Sequence, residues 1–190
     1  MSSRLIRSCV LAAVAICMLV APLAWAFASP DGDDDAGSGS EYQLKAACLF
    51  NFAKFIDWPP HKFNQPDSPL IIGIVGTDPF GGLLEEAVQD HSINDHIVLV
   101  RHIESMEELR KCHMIFVCRS ESDRLGTILS EVRGDNVLTV GETDTFISHG
   151  GMINFVMIGD IVRFQINEAA ARHAGLKISS KLSSLAVPTN

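Results

Sequence analysis

Apolar residues recur at the helical period through residues 41–60, EYQLKAACLFNFAKFIDWPP, where Tyr42, Ala46, Leu49, Phe52, Ala53 and Ile56 form one face. Leu44, Cys48 and Phe55 widen that face and Phe50 lies beyond it, which leaves Gln43, Asn51 and Lys54 as the polar arc. A helix packed on a single layer needs an apolar stripe of roughly 100° or a little more. This one is wider, and predicts a helix buried between a sheet and a neighbouring helix. The sharper alternative is that part of the face docks a partner or a second copy of the chain. Lys45 falls inside the apolar arc, where its ammonium is expected to snorkel to water, with Glu41 one turn back as the other way to satisfy it. Pro59 and Pro60 close the helix at Trp58.

Further along, residues 70–75 are an unbroken aliphatic run closed by Gly76, the pattern of a strand buried on both faces. Asp78 and Pro79 then predict a helix over 80–89, the Asp as cap and the Pro in the first turn. Residues 97–100 read as the next strand, and Ser105 with Glu108 as the capping box of a short helix to Lys111. Residues 113–117 make a third strand, 122–132 a helix and 137–140 a fourth strand. Strands alternating with helices imply right-handed crossovers and a largely parallel sheet.

The last third changes style. Residues 152–158 and 161–166 flank Gly159-Asp160, a two-residue turn with glycine first, as a type II′ hairpin prefers. That turn sets Met157 opposite Val162, Phe155 opposite Phe164 and Ile153 opposite Ile166 on one face. On the other, Asn154 meets Gln165 and Val156 meets Arg163. The second face is half polar and open to solvent or a ligand. Asn167 caps a helix over 168–174 closed by Gly175, and residues 179–187 return Leu182 and Leu185 to the core. The fold class is α/β: a three-layer sandwich with helices on both faces of a largely parallel sheet that ends in an antiparallel hairpin.

The N-terminus reads differently. Arg4 and Arg7 precede an apolar run over 10–20 and the small-x-small sequence Ala24-Trp25-Ala26, with Ala26-Phe27-Ala28 as a close alternative, so residues 1–26 are expected to be a cleaved secretory signal peptide. Residues 27–40 are rich in Gly, Ser and Asp and are expected to be a disordered acidic linker. Residues 41–190 then form one domain. The net charge is −8, and setting aside the two arginines of the leader and the four aspartates of the linker leaves −6 for that domain. An acidic domain with no Lys/Arg cluster argues against nucleic acid as a partner, and after signal cleavage nothing inserts into a membrane. Cys48, Cys112 and Cys118 remain in a compartment that permits disulfides. An extended 112–118 segment would hold its ends about 20 Å apart, against the under about 7 Å between Cα atoms that a disulfide needs. Pairing of Cys48 with either of the others stays open.

The chain carries no recognisable catalytic or metal-binding pattern. Gly73-Ile-Val-Gly76 has Val75 where a dinucleotide-binding turn needs its second glycine, so no cofactor is expected and tight packing explains the glycine better. Asp90-His91 and Asp95-His96 lack the paired spacing of a zinc site, and no metal is expected. His113 reads as a satisfied core histidine. No G-x-S-x-G elbow occurs, Cys48 sits in an apolar helix without a nearby histidine, and the adjacent Glu85-Glu86 and Glu107-Glu108 diverge around their helices. No enzyme is expected.

Four stretches in order, EYQLKAACLFNFAKFIDWPP, LIIGIVGTDPFGG, GGMINFVMIGDIVRFQIN and AARHAGLKISSKLSSLA, resemble the YfiR-like family of periplasmic regulatory proteins over nearly all of residues 41–187. The resemblance implies a periplasmic α/β protein without catalysis. It further implies a negative regulator that binds the periplasmic domain of a membrane-bound diguanylate cyclase and so restrains cyclic di-GMP signalling and biofilm formation. A homodimer is also implied, and so are disulfides, although three cysteines cannot make two within one chain. The family's motif positions fall on Tyr42, Lys45, Asn51, Phe52, Lys54, Trp58 and Pro59, then Asp78, Pro79 and Phe80, then Gly151, Asn154, Phe155, Arg163, Phe164 and Asn167. Phe52, Phe155 and Phe164 are core by pattern, Pro79 and Asn167 start helices, and Gly151 reads as a turn. Lys45, Asn51, Asn154 and Arg163 have the least structural need, and with Trp58 they are the candidate partner- or ligand-binding residues. The alternative function is a periplasmic small-ligand sensor or solute-binding protein, with its pocket at the C-terminal ends of the parallel strands near residues 76–80 and 141–143.

Overall fold

The computed structural model describes residues 35–189, with side chains described from residue 39. The expected signal peptide, and the linker as far as residue 34, lie outside the described residues. Helix α1 runs over Asp35–Lys54. It begins six residues before the expected start at Glu41, because Gly and Ser each disfavour a helix by only about 1 kcal/mol or less, and no proline intervenes. It also stops four residues short of Trp58. Ile56–Asp57 (β1) leaves the helix to pair antiparallel with Lys177–Ile178 (β9), a contact between chain ends that no local pattern announces.

Between them lie β2 (Leu70–Val75), α2 (Leu83–Val88), β3 (Ser92–Ile93), β4 (His96–Ile103), α3 (Met106–Leu109), β5 (Met114–Val117), α4 (Leu125–Glu131) and β6 (Leu138–Gly141). The hairpin β7 (Ile153–Ile158) and β8 (Ile161–Ile166) follows, then α5 (Glu168–His173) and, after β9, α6 (Ser180–Ser183). The strands make a seven-stranded sheet in the order β3-β4-β2-β5-β6-β7-β8, parallel from β4 to β7 and antiparallel at both margins. The α/β fold is therefore as the sequence predicts, and so is the hairpin register: all five expected cross-strand pairs occur, around a Gly159 with φ 59°.

Right-handed crossovers decide which helix covers which face. The connection from β2 to β4 runs one way along the sheet and places α2 beside α1. Those from β4 to β5 and from β5 to β6 run the other way and place α3 and α4 opposite. Two cores result. Leu49, Phe52, Leu84, Ile72, Phe116 and Phe155 fill the side of α1, α2, α5 and α6, while Leu109, Ile128, Ile115, Val117 and Phe146 fill the side of α3 and α4. Gly73 belongs to the second, where a Cβ would come within 2.8 Å of Cys112 Sγ, so close packing accounts for it.

Local readings change at Asp78 and at Leu185. Asp78 does not cap α2: its Oδ1 accepts from the Phe80 N–H at 2.8 Å, a turn two residues long, and the helix starts only after Gly82 with φ 100°. The capping box at Ser105 and Glu108 is present as expected. Leu182 reaches the core, but Leu185 is 64% exposed, because α6 ends at Ser183 and the following turn carries it outward.

His113 is buried and only half satisfied. Its Nδ1 accepts from the Ile71 N–H at 3.1 Å, while Nε2 has no partner among the described residues. Phe63 stacks on the ring at 4.4 Å and Trp58 meets it edge-on at 5.8 Å. Burial, then the charge of Lys62 and the nearby His96, push its pKa down to about 4. The folded state thus keeps His113 neutral, whereas the unfolded chain takes up a proton near the ordinary value of about 6.5. Stability from this group is complete above that pH and is lost as pH falls toward 4, by up to about 3 kcal/mol. Urea unfolding between pH 7 and 4.5 should show the decline, and His113→Gln should flatten it.

Candidate functional site

At the end of β6 the sheet divides. β7 pairs with β6 only at Val140↔Ile153 and Gly141↔Asn154, yet it pairs with β8 from Ile153 through to Ile158. Residues 155–158 therefore outrun β6, and the space it leaves is a cleft of about 820 Å³. Loop residues Asp144 and Ile147 wall it on one side and β7 on the other, while residues 187–189 close it beyond β8. Those last residues are tied down, since the Val187 N–H donates to Phe164 O at 2.9 Å and Gln165 Nε2 donates to Pro188 O at 3.2 Å.

Lys45 forms part of the floor. It does not snorkel: it is 2% exposed, paired with Glu41 and, at 2.6 Å, with Glu142, which follows β6 directly. Tyr42 and Phe155 hold it in place, with its Nζ 4.5 Å from the tyrosine ring centroid and 5.9 Å from the phenylalanine. The Tyr42 hydroxyl donates to Glu142 Oε2 at 3.1 Å. Burial first, then the charge of Glu142, raise the Tyr42 pKa, which keeps the phenol protonated and donating. Lys45 and Glu142, both out of water, demand this degree of pairing, since each isolated ion would cost several kcal/mol.

Asn154 lines the same cleft. It is 1% exposed, and its Oδ1 has no hydrogen-bond partner among the described residues. Its side chain lies on the half-polar face opposite Gln165, where α3 and α4 do not extend. Arg119, after β5, and Asp144, after β6, are exposed at the cleft and make no ion pair among the described residues. The structure so brings two of the five candidate residues together, Lys45 and Asn154, and disperses the rest. Asn51 is exposed and accepts from Lys54 Nζ at 3.4 Å. Trp58 is half-buried and donates from Nε1 to Ala53 O at 3.1 Å, fastening the end of α1. Arg163 is exposed on β8, opposite Val156.

Glu142, Arg119 and Asp144 were not singled out by the sequence. The one available signal for Glu142 was an ammonium inside an apolar arc that had to meet a carboxylate, and the partner is 97 residues away. Of the two stretches where a ligand pocket was expected, residues 141–143 adjoin the cleft through Glu142, whereas residues 76–80 do not line it.

Cys48, Cys112 and Cys118 are free thiols. Burial pushes Cys112 up to about 11 and, with help from Glu142 and Asp78, Cys118 up to about 12; it also raises Cys48. All three are protonated at neutral pH and poor nucleophiles. No group of three His, Cys, Asp or Glu converges among the described residues.

The model of a family described as YfiR/HmsC-like matches residues 42–187. No curated protein matches the chain. The fold is similar to the crystal structure of a conserved domain protein from Vibrio cholerae O1 biovar El Tor, with a TM-score of 0.53 and 10% identity over 78% of this chain and 60% of that one. At such an identity the likeness concerns the fold alone.

Proposed function

Because the chain belongs to the YfiR/HmsC-like family, we propose that it is a periplasmic, non-catalytic regulator that restrains a membrane-anchored diguanylate cyclase by contact with that enzyme's periplasmic domain. It would thereby lower cyclic di-GMP signalling and biofilm formation. The observation that carries the docking part is the tip of the β7–β8 hairpin, where Met157, Ile158 and Ile161 are 46%, 54% and 55% exposed. Large apolar side chains gathered at one projecting turn suit a protein partner better than water. The apolar face of α1, the alternative docking surface, is mostly taken up by the sheet and α2, as the burial reading expects, with Leu44 as its exposed exception. The leader-like sequence of residues 1–26 supports export, and no helix among the described residues is long and apolar enough to cross a membrane.

Calorimetry of the exported chain against the periplasmic domain of a membrane diguanylate cyclase from the same cell tests the reading. Saturable binding is expected, and the double variant Ile158→Lys, Ile161→Lys should weaken it at least about tenfold, a loss typical of interface anchors. Both sites are exposed, so the unfolding midpoint should hold. Absence of binding, or equal binding by the lysine variant, removes the docking model.

A second reading, a sensor for a small ligand, is favoured by the unpartnered Asn154 amide. The two readings join physically, because Met157 and Ile158 line the cleft and also form the tip. A ligand that prefers one tip geometry would shift the docking equilibrium.

A further inference from the structure

We propose that the cleft binds a short extended peptide with free termini, which adds as a strand to the part of β7 that β6 leaves uncovered. The proposal rests on the sensor reading and names its ligand class.

Backbone alternation supplies the first argument. The Val187 N–H bonds to Phe164 O, so Val162, Phe164 and Ile166 turn their backbone polar groups away from β7, and Ile161, Arg163 and Gln165 turn theirs toward it. Their partners Ile158, Val156 and Asn154 face β8 in return. Phe155 and Met157 consequently face the β6 side. The last β6 residue paired to β7 is Gly141, opposite Asn154, so the Met157 amide and carbonyl meet the cleft rather than a strand. A vacant stretch of ladder recognises a peptide backbone, and alternate pockets then select side chains.

The second argument is independent of the first. Asn154, buried at the base of that stretch, carries an amide oxygen that no described group satisfies. A buried polar atom without a partner is costly, and a ligand N–H would relieve it.

Charge and size narrow the class. Arg119 and Asp144 leave one positive and one negative group unpaired at the same cleft, as the carboxylate and ammonium of a free peptide require. They stand in the loops that follow adjacent strands, β5 and β6. A strand added beside β7 runs along it, so the uncovered residues 155–158 set its length, about three extended residues at about 3.3 Å each, which suits a free peptide better than a loop of a larger protein.

The test is calorimetry of the exported chain with the tripeptide Ala-Leu-Ala. Saturable binding is expected. N-acetyl-Ala-Leu-Ala-amide, and the peptide N-methylated at leucine, should each bind at least about tenfold more weakly, the first for lack of charges and the second for lack of a ladder hydrogen bond. Asn154→Leu should lose binding by a similar factor while its ligand-free unfolding midpoint stays level or rises, since it removes an unsatisfied buried amide; a merely structural asparagine would lower that midpoint. Equal binding of the N-methylated peptide overturns strand addition, and equal binding of the blocked peptide overturns the free termini. Mass spectrometry of molecules released on denaturing the purified protein separates the two levels. A non-peptide ligand displaced by Asn154→Leu sinks the peptide and keeps the sensor, whereas no released molecule and no tripeptide binding sink both.

Discussion

Lys45→Met should destabilise the protein by about 3–5 kcal/mol, measured by urea unfolding, although methionine matches the lysine stem in size and apolarity. The loss comes from Glu142. Its side chain is 2% exposed, and without the ammonium at 2.6 Å it keeps only the Tyr42 hydroxyl for a buried negative charge. Glu41 matters less because it is 27% exposed and retains water. The double variant Lys45→Met, Glu142→Leu should recover most of the loss, since apolar replacement of both members of a buried pair is often neutral or better. If Lys45→Met cost no more than about 1 kcal/mol, the pair would be a solvated surface contact and the floor of the cleft would be wet. Lys45→Glu would bring a third carboxylate beside Glu41 and Glu142 and should destabilise the fold more than Lys45→Met.

Gly151→Ala should cost about 3 kcal/mol and loosen the cleft wall. A Cβ there would lie 2.2 Å from the Phe146 ring and 2.8 Å from the Phe146 carbonyl oxygen. The ring cannot retreat: it is fully buried, and its other side meets Gly141, where a Cβ would come within 2.3 Å. Phe146 is thus clamped between two glycines, and it anchors the loop that carries Glu142, Asp144 and Ile147. Thermal unfolding checks the size of the effect, and Gly151→Ala with Phe146→Leu should lose less than the sum of the two single changes, because the smaller side chain opens room for the methyl. Additive losses would mean that the glycine serves backbone conformation after all. Sequence reading made Gly151 a turn, but the left-handed residue is its neighbour Gly150, with φ 95°, and Gly151 is there for space.

The hairpin shows what a local pattern can settle. Its turn type fixes the register, and the register assigns every side chain to a face, so Asn154 and Gln165 could be placed on an open half-polar side from sequence alone. Asp78 shows the limit, since a residue able to cap a helix can equally bond two residues on, and only the tertiary path of residues 78–82 chooses.

The cleft itself depends on lengths as well as types. β7 was expected over about the same residues that form it, yet nothing in its sequence says that β6, four residues long, stops beside Asn154. By itself the sequence determined the alternation of strands and helices and the parallel sheet with its closing hairpin. Those follow from periodicity and turn chemistry, which act within a few residues. Only the tertiary structure decided that Lys45 goes inward, that Glu142 meets it across 97 residues, and that Asn154 is left without a partner. The physical reason is desolvation: where a charge or amide comes to rest is set by which distant group arrives to satisfy it, and sequence spacing carries no record of that meeting.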